Sequence, residues 1–502
     1  MKQQLDHTPS PSTKVEVIAL FWTFLAALPA GFELSREVSA VCLAILVLLP
    51  LLSIWLTTSR LVADDPIVLI GIVWILGVSL PVLVPTLYKD PRWYTLSDSS
   101  LDLAALWMYR GWVICSLVYW ALRSYLKDSP GVQSPISDLL TQQRMRRCMG
   151  LTALVGGVMK VIYGRGNLYT FIETSASHDR SSLGQVAHFL DSFSVIYVFI
   201  YFSSGGRSRL ARLDHWLLVL VISLQSIIFI GAGSKAVALA LGSAWVMGRA
   251  AAGLRLGFLR ELRVVLIGLA TVYIVSYIVT AYREEVRAHP PLSHTSVTEA
   301  LSFQVQTMWS AINTLLDGKR LGTDENQYGT SDMLDRFAHV ASFAHVLDTL
   351  GNTSPRENAF SSLMVPLLAV LPRDMIPNKV HFADSADFAR LCGWSYGGLS
   401  ITLPGSFFWA WDFGGIIIGM GFIGAMMALG SLSVAGGDSR SLIIRAVVCS
   451  AVLGLLDLGE TFQTIGTSAT RVWIFLQMLR FLVHTRNRSC PTSSTLNAPT
   501  LR

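Results

Sequence analysis

Apolar positions in this chain come in long, nearly unbroken blocks separated by polar stretches. They do not alternate as the strands of a barrel would. Blocks lie near residues 15–32, 38–58, 66–88, 101–122, 148–164, 184–203, 215–232, 236–251 and 262–282, then 413–434, 442–458 and 467–484. Most are close to the length, about 18 to 22 residues, that crosses roughly 30 Å of hydrocarbon as a helix. In lipid only helices and closed barrels satisfy their own backbone groups, so the blocks predict helices. The expected fold is an all-α polytopic membrane protein with twelve transmembrane helices.

One long interruption organises the series. Residues 1–282 hold the first nine blocks, residues 283–410 form a large insert, residues 411–484 hold the last three, and residues 485–502 read as a disordered tail rich in Ser, Thr and Pro. Inside the insert, Met333, Leu334, Phe337, Val340, Ala341, Ala344 and Leu347 keep a helical period. The spacing predicts an amphipathic helix over 331–350, capped by Ser331 or Thr330 and lying against the membrane or the bundle. The apolar run 359–371 is too short to span and predicts a half-inserted or buried segment.

Composition agrees with lipid as the main solvent: 52% of residues are hydrophobic, 14% are charged and mean hydropathy is +0.51. A net charge of +6 and a pI near 9.0 do not point to nucleic acid, because the basic residues gather in short loops where they set topology. Arg123, Lys127, Arg144, Arg146 and Arg147 fill one loop; Arg207, Arg209 and Arg212 another; Arg249, Arg255, Arg260 and Arg263 a third. These loops alternate correctly, as do Arg440 and the tail with Arg486 and Arg488. Both termini are then expected in the cytoplasm and the insert on the outer face. Lys2 and Lys14 precede the first block as in a signal peptide, but no small-residue cleavage site follows, so it is expected to stay as the first span. The six cysteines form no CxxC pair and suggest neither a disulfide framework nor a metal site.

Several polar residues stand out against this background. Arg336 and His339 share a helix face and can address one anion; ion pairs with Asp332 and Asp335 explain the same spacing. In Leu371-Pro-Arg-Asp-Met-Ile-Pro-Asn-Lys379 two prolines stiffen the backbone around Arg373 and Lys379, a fork and a point charge suited to a lipid diphosphate; interfacial anchoring is the plainer explanation. Gly231-Ala-Gly233-Ser234-Lys235 lacks phosphate-loop spacing, yet Lys235 opens a helix whose first amides favour an anion. Arg110 sits mid-block, where insertion costs at least about 2.5 to 3.5 kcal/mol, so it needs a partner or a wet cavity. His188 and Asp191 in the sixth block, and Glu460 and Arg471 around the last outer turn, fall toward the same outer face; an ion pair with Arg471 is the plainer role for Glu460. His345 faces away from Arg336 and reads as structural.

At these residues the chain resembles the bacterial O-antigen and exopolysaccharide repeat-unit polymerases, the Wzy-type membrane glycosyltransferases. Gly233-Ser234-Lys235-Ala236 resembles that family's glycine-serine-arginine turn, with Lys in place of Arg. The 371–379 run resembles its proline-arginine and tryptophan-proline-x-lysine signature, with Ile376 for the aromatic and Val380 for the following proline. Thr402-Leu-Pro-Gly405 with Trp411-Asp-Phe-Gly-Gly415 resembles the segment that re-enters the membrane after the outer loop. The likeness covers about residues 215–435. It implies an inner-membrane enzyme using polyprenyl-diphosphate-linked oligosaccharides, with no cofactor or essential metal, working beside flippase and chain-length regulator proteins. Arg373, Lys379 and Arg336 would then neutralise the departing diphosphate with support from Lys235, and His339 or Glu460 would take the acceptor proton. A ligase for finished glycan and a transporter of lipid-linked saccharide are the alternatives.

Overall fold

The computed structural model describes residues 11–58, 66–85, 96–126, 138–163, 182–204, 212–232, 297–316, 339–350, 401–433, 439–455 and 462–488, with scattered positions between 240 and 282 and Phe388, Leu391 and Cys392. Among these residues the regular elements are all helical. In chain order they are α1 (Pro11–Ala27) ending in a 3-10 turn (Leu28–Gly31), α2 (Arg36–Thr58), α3 (Pro66–Trp74), a π turn (Ile75–Ser79) and α4 (Leu80–Leu83). Next come α5 (Asp98–Leu126), α6 (Asp138–Tyr163), α7 (Ser182–Asp191), α8 (Phe193–Ser204) and α9 (Arg212–Ala232). The insert contributes α10 (Val297–Leu316) and α11 (His339–Leu350), and the chain closes with α12 (Leu403–Ser433), α13 (Ser439–Leu455) and α14 (Phe462–Arg488).

Local chemistry sets several of these boundaries. Ser97 Oγ accepts the Ser100 amide at 3.2 Å, capping α5, and Asp98 in the first turn with Arg123 in the last complements the helix dipole. The wide turn before α4 accommodates Pro81, whose missing N–H leaves the Gly77 carbonyl without its usual partner. Ser79 Oγ there donates to the Ala40 carbonyl at 2.8 Å and ties the turn to α2.

Two apolar cores result. One joins α1 to α5 with α11 and α12 around Trp74, Tyr109, Trp112 and Phe343; the Trp74 and Trp112 rings lie 5.1 Å apart. The other gathers Met149, Tyr197, Phe193, Leu217 and Cys449 from α6, α8, α9 and α13, with Val472 and Leu476 of α14. Helices α5 and α12 run parallel: Trp107 stacks on Phe413 at 4.4 Å, Gly111 faces Ile416 and Met420, and Gly424 faces Cys115. A Cβ on Gly424 would lie 2.3 Å from the Cys115 carbonyl oxygen, so only glycine allows this approach.

Helix α5 and the 403–429 part of α12 are long and apolar enough to cross a membrane. Other helices carry shorter apolar stretches, at Glu16–Gly31, Ile70–Leu83, Phe189–Ser203 and Leu213–Ile228. Large apolar side chains also face outward, among them Phe21, Phe24, Leu48, Val219, Ile418 and Phe481.

Among the described residues, the buried charged side chains are paired. At the end where α5 finishes, here the lower end, Arg123 Nε meets Glu16 Oε1 at 3.1 Å. Asp214, fully buried, receives Arg146 at 3.0 Å and Arg147 at 3.2 Å. In the α6, α7 and α9 cluster, Lys160 Nζ lies 2.6 Å from Asp191 Oδ2 while Gln225 donates to Asp191 Oδ1. Asp191 sits where α7 breaks into α8, and Gly156 of α6 packs directly on that break: a Cβ there would come within 2.4 Å of the Asp191 amide.

The structure adds to the expectations. The sixth block is two helices broken at Ser192, and the helix reaching the tenth block starts at Leu403, ahead of residue 413. The described part of the predicted amphipathic helix, His339–Leu350, is helical and packs on the bundle; residues 331–338 and the run 359–371 lie outside the described residues.

Candidate functional site

The upper end of the bundle, where α5 begins, collects the distinctive polar geometry. Arg36 at the start of α2 reaches Asp98 at 2.7 Å and donates its backbone amide to Asp102 Oδ1 at 3.2 Å. Helix α11 lies across this end. Val340, Phe343, Ala344 and Leu347 enter the core, Phe343 meets Phe408 of α12 at 6.3 Å, and Ser100 Oγ donates to Asp348 Oδ1 at 3.3 Å. The insert is thus held to the upper ends of α5 and α12. Burial rather than solvated ion pairing dominates this helix.

His339 opens α11 and is buried. His345 packs against the Phe388 ring at 5.5 Å, with Nε2 3.5 Å from Cys392 Sγ, which fits the structural role expected of it. Burial pushes the Cys392 thiol up, against a smaller opposing hydrogen bond from Thr349.

Arg110 has its partners. Its Nε donates to the Ala30 carbonyl at 2.8 Å and one Nη to the Phe32 carbonyl at 3.1 Å, and the guanidinium sits 5.0 Å from the centre of the Trp107 ring. These carbonyls belong to the turn that ends α1 and the residue after it, where backbone acceptors lack helical partners. Because α1 stops at this level while α5 runs on for about 18 Å to Asp98, at 1.5 Å per residue, the upper bundle is stepped rather than flush.

The step faces a break in α12. Thr402, at φ 69°, caps the helix with Oγ1 accepting the Gly405 amide at 3.2 Å. Then Trp411 and Asp412 leave helical geometry, Asp412 at φ 60° and ψ −158°. That region is essentially reserved for glycine and costs about 1 to 3 kcal/mol for any other residue. Phe413 on one side of the break stacks on Trp107 and lies 4.9 Å from Phe408, while Gly415 backs onto the Phe407 carbonyl so closely that no side chain fits. Asp412 and Gly414 are exposed, and Trp411 is half-buried.

Of the residues expected to carry chemistry, His339 falls within this geometry. Lys235, Arg336, Arg373, Lys379 and Glu460 lie outside the described residues, as do Asp332 and Asp335. Arg471 is half-buried on α14. Asp412 has no role in the sequence reading, although an acid two residues ahead of Gly414 and Gly415, at the edge of an apolar block, was the available signal. Comparison of the chain with models of known protein families, with characterised proteins and with solved structures gives no match.

Proposed function

We propose that the chain is a twelve-span inner-membrane glycosyltransferase with both termini in the cytoplasm. It polymerises polyprenyl-diphosphate-linked oligosaccharide repeat units into O-antigen or exopolysaccharide at the periplasmic face. The observation that carries this reading is the insert helix α11 clamped over the upper ends of α5 and α12, beside a stepped, partly exposed polar surface. Outward-facing apolar side chains support a lipid setting, and the parallel run of α5 and α12 agrees with the odd number of crossings between them that this topology requires. The basic side chain Arg123 at the lower end fits a cytoplasmic side.

In the reaction, a hydroxyl of one lipid-linked repeat unit attacks the anomeric carbon that joins the growing glycan to its diphosphate carrier. The new glycosidic bond forms as the bond to the diphosphate oxygen breaks. Arg373, Lys379 and Arg336, with Lys235, would neutralise the leaving diphosphate, and His339 or Glu460 would take the hydroxyl proton. The test is a purified assay on lipid-linked oligosaccharide. Arg373→Ala should leave a folded protein and abolish the ladder of product lengths; an unchanged ladder removes Arg373 from the mechanism.

A second reading, transport of lipid-linked saccharide without bond chemistry, draws on the pair of half-buried Lys160 and buried Asp191, because intramembrane charges often mark pathways. It predicts no ladder from the purified protein but movement of substrate across a sealed vesicle. A ligase would give one product size with a separate acceptor.

A further inference from the structure

We infer that Asp412 and the aromatic rings around the α12 break form a binding site for the saccharide part of the substrate. The inference rests on the polymerase reading for the identity of the saccharide, and on the geometry of the break for the site itself.

The break has a conformational requirement that glycine would meet without strain, yet the chain places aspartate there. Glycines follow at 414 and 415, so the segment is not short of them. Asp412 is exposed, and among the described residues its carboxylate meets no cation and no hydrogen-bond donor. No contact among the described residues offsets its strain. Strain retained under a solvent-facing carboxylate is expected where the carboxylate acts on something that arrives from solution.

The surroundings narrow the ligand class. A pyranose presents hydroxyl donors at its edge and C–H groups on its faces. A carboxylate accepts several hydrogen bonds, and indole or phenyl rings take the apolar face. Trp411 adjoins Asp412 and is half-buried, which makes it the ring for that face; Phe413 and Trp107 cover each other at 4.4 Å and back the site. A Cβ at Gly414 would meet nothing within 4 Å, so the backbone two residues on is open as well. A phosphate group fits less well, because the charge at the break itself is negative. The Arg110 guanidinium across Trp107 already donates to two carbonyls.

The test uses the full chain in lipid nanodiscs and two probes. One is the glycan released by mild acid from lipid-linked oligosaccharide of the cells that carry the gene; the other is undecaprenyl diphosphate. Asp412→Gly removes the carboxylate while suiting the backbone, and Asp412→Asn keeps the shape and decides the matter if the glycine variant folds poorly. Both variants should bind the glycan about tenfold or more weaker than the wild type, the loss expected of hydrogen bonds to a charged group, with undecaprenyl diphosphate binding unchanged. Glycan binding within about twofold of wild type in either folded variant overturns the inference. A wild type that binds undecaprenyl diphosphate but no glycan also overturns it and leaves the polymerase reading standing. A wild type that binds neither contradicts both.

Discussion

Arg110 Nε donates to the carbonyl of Ala30 at 2.8 Å, so a charged residue in the middle of an apolar helix is held by the end of another helix. Its second bond, to Phe32, uses the fork of the guanidinium. Replacing Arg110 with Met should lower thermal stability in detergent, since the carbonyls lose donors worth about 1.5 to 3 kcal/mol for charged hydrogen bonds, less what water restores. Arg110→Lys should recover only part of this, because one ammonium cannot reproduce the spread of Nε and Nη. Equal melting temperatures for the wild type and Arg110→Met would show that the bonds contribute nothing.

That relationship also marks how far the sequence could be read. An arginine inside an apolar block signals that some partner exists. Backbone carbonyls carry no sequence signature, so only the early end of α1 at Gly31 reveals which partner it is. The apolar blocks announced helices α1 to α9 and α12 to α14, since length and apolar content set them. The break at Trp411 and Asp412 was hidden because both flanks are strongly apolar and helical. Helix α10 was legible in principle: Leu301, Val305, Met308, Trp309 and Ile312 recur at helical spacing within the insert. Of the proposed diphosphate and proton-transfer residues, His339 alone lies among the described residues, and its burial follows from the apolar neighbours Val340 and Phe343.

Lys160 and Asp191 bind three helices through one ion pair and the Gln225 amide. Removing Lys160 leaves the buried Asp191 carboxylate with the Gln225 amide alone, so Lys160→Met should cost about 1 to 3 kcal/mol, and Asp191→Leu, which leaves a half-buried ammonium, less. The double substitution should cost less than the sum of the two. A double-mutant cycle on unfolding in mixed micelles measures the coupling, and additive effects would mean the pair is not coupled.

Gly424 lies where α12 touches the Cys115 backbone. Gly424→Ala should force the helices apart and destabilise the protein by about 1 to 3 kcal/mol or more. Gly421→Ala, one turn away, would meet only side-chain atoms of Ile114 and Val118 at 3.5 Å and beyond, and should be tolerated. Thermal melts of the two variants side by side check this; equal losses would argue against the close parallel contact.

The direction in which α5 crosses the membrane can be read in cells. In a background with the native cysteines replaced, Ser97→Cys should react with a membrane-impermeant maleimide from outside, whereas Ser124→Cys, near the lower end of α5, should react only after permeabilisation. The reverse pattern would invert the proposed topology.

The most direct test of the central proposal is incubation of the purified protein with polyprenyl-diphosphate-linked oligosaccharide alone, followed by size separation of the glycans. A polymerase gives a ladder spaced by one repeat unit, lost in Arg373→Ala. Substrate recovered unchanged by the folded wild type, with no product longer than one repeat, would contradict the account.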